Sequence, residues 1–124
     1  MEADLDSLDW KPGAATLPDC VTDFVRSFEA CSAARTVGRW YVFEGATNGG
    51  RFLAERIGRA LDPDEPPRLV SFDPYGSEQA EHWRAFRAGL DAFTADLDDC
   101  IVGAQETFAF HATLFDARMA EEAR

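Results

Sequence analysis

A chain of 124 residues is long enough for one domain and short for two. Its 46% hydrophobic content, with ten Phe and three Trp, excludes a disordered composition. A net charge of −11, with no Lys/Arg cluster standing apart from acidic neighbours, argues against nucleic acid and anionic membrane surfaces as partners. Residues 1–17 carry a turn at Lys11-Pro12-Gly13 and read as a docked arm or loop; residues 18–124 read as a helical core, the whole forming one domain. Pro18 and Asp19 suit a first helical turn, and Val21, Phe24, Val25 and Phe28 recur at three- and four-residue steps, so a first helix is expected to end near 31–34.

A second helix is expected from about Arg35 to Leu61, with Val37, Trp40, Tyr41, Phe43, Phe52, Leu53, Ile57 and Leu61 as its apolar members. Asp62 to Pro67 is a loop because its prolines cannot continue a helix. Arg68 to Phe72 suits extended chain, although no second run offers a partner strand, and Asp73-Pro-Tyr-Gly76 is a turn. Ser77 is placed as the N-cap of a third helix whose inner face carries Trp83, Phe86, Leu90 and Phe93. Asp96 to Asp99 opens the last helix, with Ile101, Ala104, Phe108, Ala112, Phe115 and Met119 as its stripe and a frayed end at Glu121 to Arg124. The expected fold is all-α with about four main helices.

Cys20, Cys31 and Cys100 form no CxxC pair and have no histidine at zinc spacing; an odd count fits a reducing compartment. The acidic start is unlike a secretory leader, and no apolar run approaches the ~18 residues that span a bilayer. A soluble, cytoplasmic protein is the expectation.

The segment Trp40 to Arg51 holds three glycines inside a helical pattern, each costing about 1 kcal/mol relative to Ala. Gly45 and Gly49 are four apart and share a helix face, where missing side chains admit close approach of another body. Gly49-Gly50 also eases a kink. Spacing alone favours a close helix–helix crossing. The residues Tyr41-Val-Phe-Glu-Gly-Ala-Thr-Asn-Gly-Gly50, however, resemble the distal-helix signature of bacterial biliverdin-forming heme oxygenases, approximately Tyr-Val-x-Glu-Gly-Ser-x-Leu-Gly-Gly. Phe72, Tyr75 and Gly76 resemble that family's Phe-x-x-Tyr-Gly turn; Trp83, Phe86 and Leu90 match its next helix, and Ala104, Thr107 and Phe108 its last. The resemblance covers about residues 35–118, with Asp4-Leu5-x-x-Leu8 aligning before it.

The resemblance implies a heme oxygenase-like helical bundle with a glycine-kinked distal helix, truncated at its front. It implies an oxidoreductase that cleaves heme to biliverdin, iron and CO, fed by a ferredoxin or reductase. Gly45, Gly49 and Gly50 would flank the porphyrin, with Tyr41, Asn48 and Arg51 beside it; Arg51 or Arg84 would reach the propionates. The sequence departs from the family at Ala46, in place of Ser, and at Asn48, in place of Leu. The family's proximal histidine lies on a leading helix, and none of residues 1–34 is histidine, so the axial ligand has no counterpart.

Two histidines remain. His111, between Phe108 and Phe115, reads first as a packed residue bonded to a carbonyl and second as a replacement metal ligand; His82 reads as exposed. Glu78 and His82 are four apart, but the chain has no Glu-x-x-His pair for a di-iron site. Glu44 reads as a structural partner rather than a general acid, and the cysteines as small core residues. No hydrolase, kinase or dehydrogenase motif is present. Two functional readings follow: a heme- or bilin-handling protein, and a non-catalytic interaction or regulatory subunit that keeps the fold. Both expect apolar faces covered in a homo-oligomer or hetero-complex.

Overall fold

The computed structural model describes residues 18–67, 69–93 and 96–122. The expectations for residues 1–17 and for the chain's last two residues lie outside these. Among the described residues the fold is all-α, with four helices and no strand: α1 (Asp19–Arg26), α2 (Ala33–Leu61), α3 (Gln79–Ala92) and α4 (Leu97–Glu122). None of these helices is long and apolar enough to cross a membrane. The described chain divides into two compact units, one built from 18–43 and 96–122, the other from 44–93, so that α2 contributes to both.

In the first unit, α1 starts behind Pro18, with Asp19 and Arg26 placed favourably for the helix dipole. It stops about five residues short of expectation. The Ser27 hydroxyl donates to the Phe24 carbonyl (2.6 Å), and tight turns then carry the chain to Cys31. Ser32 caps α2, its Oγ accepting from the Arg35 amide at 2.9 Å, and Asp96 caps α4 by accepting from the Asp99 amide at 3.1 Å.

Helices α2 and α4 meet backbone to backbone. A Cβ added at Gly38 would lie 2.7 Å from the Cys100 carbonyl carbon, and one added at Gly103 would lie 2.9 Å from that of Arg35. Thr107, one turn on, is fully buried and bonds the Gly103 carbonyl at 3.0 Å. Beside this crossing Arg39 is buried; its Nη2 donates to Glu106 (2.8 Å) and its Nη1 to Ser27 (2.9 Å), and the guanidinium lies over the rings of Phe24 and Phe28. An opposite charge and hydrogen-bond partners of this kind are what make a buried charge tolerable. Arg35 clasps Asp99 at 2.7 Å.

The stripe expected to form the inner face of α4 lies outward. Ile101, Phe108, Phe115 and Met119 are exposed, while Gly103 and Thr107 are buried. The helix turns inward the face whose small residues permit the tightest backbone approach. Val25, Phe28, Trp40, Tyr41 and Phe43 are likewise exposed.

In the second unit, α2 continues unbroken through Gly45, Gly49 and Gly50 to Leu61. Asp62 then accepts from the amides of Asp64 and Glu65 (3.0 Å each), turning the chain into the proline-rich loop. The stretch read as extended instead folds as a turn, with the amides of Phe72 and Asp73 both donating to the Leu69 carbonyl. Burial of Leu69 drives this and contributes roughly 2 kcal/mol. The expected 73–76 turn is present: Asp73 Oδ1 accepts from the Gly76 amide (3.1 Å), and Gly76 has φ +53°. Residues Gly76–Glu78 form one 3-10 turn, so Ser77 is not the cap; Glu78 precedes α3 without a side-chain cap bond. Trp83, Phe86 and Leu90 are half-buried along α3.

Candidate functional site

The three glycines of the distal-type segment have three different surroundings. A Cβ at Gly50 would fall onto the Phe72 carbonyl, 3.0 Å from its carbon, so this glycine exists to let the 69–73 turn lie against α2. A Cβ at Gly45 would make ordinary contact with Trp83 Cη2 at 3.8 Å. A Cβ at Gly49 would meet nothing within 4 Å among the described residues. Helical geometry puts Gly45, Ala46, Phe52 and Leu53 around Gly49 on the same side. Ala46, Phe52 and Leu53 are exposed, and Gly45 is half-buried. The result is an apolar strip of bare main chain with two large side chains, Phe52 and Leu53, at its C-terminal edge.

This strip faces outward because the opposite side of α2 is tied down. Tyr75 donates its hydroxyl to the buried Glu44 at 3.1 Å, Gln79 donates to Thr47 Oγ1 at 2.9 Å, and Thr47 donates to the Glu44 carbonyl at 2.7 Å. Burial, and then the Glu44 carboxylate, push the Tyr75 phenol above its ordinary value. The Tyr75 ring stacks on His82 (centroids 4.1 Å apart), which is exposed as expected and lies 3.8 Å from Glu78. Sequence reasoning singled out Glu44 and Tyr75 separately; only the fold joins them.

The remaining site candidates are placed as follows. Asn48 is exposed. Arg51 is exposed; it lines a cavity of about 540 Å³ with Glu55, Arg59 and Pro66, and its guanidinium lies 5.4 Å from the Phe52 ring centre. Tyr41 belongs to the other unit and is exposed. So does His111, whose Nδ1 lies 2.8 Å from the Thr107 carbonyl and whose ring packs edge-on against Phe43. Because a carbonyl only accepts, Nδ1 is the donor in this contact. Among the described residues no three His, Cys, Asp or Glu side chains cluster as a metal site.

The strip is apolar and lacks side chains at its centre. It supplies no iron ligand, since its members are Gly, Ala, Phe and Leu. No family model matches the sequence, and neither curated proteins nor solved structures yield a match.

Proposed function

We propose that the outward strip of α2 around Gly49 binds a flat, largely apolar molecule, with heme or a bilin as the class that the heme oxygenase resemblance names. The observation that carries this reading is the contrast between Gly50, sealed by the Phe72 main chain, and Gly49, which is exposed and, among the described residues, opens on nothing within 4 Å. Packing accounts for the first glycine and leaves the second unexplained, although it too lowers helix stability. The strip gives shape and apolar contact; oxidative cleavage requires an axial ligand from outside it, so no turnover is assigned to these residues.

Hemin titration tests the reading. A saturable 1:1 Soret band is expected, and Gly49→Leu, which fills the strip, should weaken it at least tenfold with helicity unchanged. Absence of saturable uptake, or equal uptake by the variant, defeats the proposal. In the same spectrum an unchanged band for His111→Ala removes that residue as the iron ligand. The second reading, a non-catalytic interaction subunit, draws support from the exposed large apolar side chains in both units. It predicts no uptake at all.

A further inference from the structure

The apolar row on the outside of α4 has a spacing that identifies what covers it. Leu97, Ile101, Phe108, Phe115 and Met119 are 70, 47, 61, 68 and 66% exposed. With Ala104 and Ala112 filling the gaps, the successive steps along the row are 4, 3, 4, 4, 3 and 4 residues. Two 11-residue repeats average about 3.67 residues per turn, close to the 3.6 of the helix itself, so the row runs nearly parallel to the axis for about 33 Å.

The row also reads the same from either end. Leu97 and Met119 stand equally far from Phe108, as do Ile101 and Phe115, and Ala104 and Ala112. Turned end for end, a second copy opposes large side chains with large and alanine with alanine, and Phe108 meets its own counterpart. Self-complementarity of this kind is what a twofold interface requires, and alanines in register let the axes approach. At about 200 Å² per large side chain, the exposed fractions amount to roughly 600 Å² per chain, most of the ~800 Å² that each partner contributes to a stable interface.

We propose that α4 pairs antiparallel with α4 of a second copy about a twofold axis at Phe108. Asp98 and Asp116 flank the same side of the row, so each approaches the other residue of the partner, and each chain carries −11. The pairing therefore tightens as salt screens this repulsion.

Sedimentation of the full chain between about 1 and 200 µM tests the proposal. A monomer–dimer equilibrium is expected, with Kd falling several-fold between about 50 and 500 mM NaCl. Phe108→Glu places two carboxylates on the axis and should raise Kd about 100-fold or more, while Leu61→Glu, an exposed site on α2, leaves it unchanged. If Phe108→Glu loses helicity, Phe108→Ser is measured in its place, with the same direction expected. Mixed Ile101→Cys and Phe115→Cys chains should cross-link to each other, as mass spectrometry of the joined peptides would show. A monomer at all concentrations, a dimer indifferent to position 108, or like-with-like cross-links each overturn the proposal; the first outcome includes a row covered by another protein or by the chain's own residues.

Discussion

Replacing Gly103 with Ala separates two opposing effects at the crossing of α2 and α4. In an isolated helix the change stabilises by about 1 kcal/mol, because Ala restricts the unfolded chain and favours the helix. At this position the new Cβ would lie 2.9 Å from the Arg35 carbonyl carbon. Non-bonded carbons are comfortable at about 3.5–4.0 Å, so the helices must part by roughly 1 Å. The obstruction is main chain and has no rotamer to change, which puts the cost near the upper end of the 1–3 kcal/mol typical of overpacking. Parting also stretches the Arg35–Asp99 and Arg39–Glu106 contacts, both now under 3 Å. The net expectation is a loss of about 2 kcal/mol, or a Tm about 8 °C lower for a chain of this length. Thermal melting followed at 222 nm measures it, with Gly89→Ala as the comparison: Gly89 lies on α3 with nothing within 4 Å among the described residues, and its replacement should raise Tm by a few degrees. A Gly103→Ala protein that melts at or above the parent temperature would refute the close crossing.

Tyr75→Phe should destabilise by about 1–3 kcal/mol by leaving the buried Glu44 carboxylate without this donor, a loss readable in urea unfolding. Because the Tyr75 phenol is held above its ordinary value, its contribution is complete below about pH 10 and disappears as pH rises through the folded value. The parent should therefore lose stability in alkali more steeply than Tyr75→Phe; equal slopes would count against the bond. Asp99 behaves in the opposite sense. The Ser32 hydroxyl first, and then Arg35, hold its carboxyl below the usual value. Its contribution is present above about pH 4 and is lost as pH falls through the folded value, so Asp99→Asn should flatten the acid limb of the stability curve between pH 5 and 2. A limb as steep as the parent's argues that Asp99 is not the group responsible.

Helix content and element order were legible in the sequence because they depend on local chemistry: prolines at 63, 66 and 67 stop α2, Asp96 starts α4, and Asp73 to Gly76 can only turn. The glycine segment was legible as a place of close approach for the same reason. What approaches was not, since Gly49 and Gly50 are neighbours of one type and only the path of the 69–73 turn makes one a packing contact and the other an opening.

Burial was the property the sequence could not assign. Periodicity shows that α4 has an apolar stripe, and a stripe ordinarily points inward. Here a second face, with Gly103 and Thr107 at its centre, admits α2 to main-chain contact, and Phe108 and Phe115 are turned out as a consequence. Two helices approach most closely where side chains are smallest. That is a relation between surfaces of different helices, and it comes into being only when the helices meet.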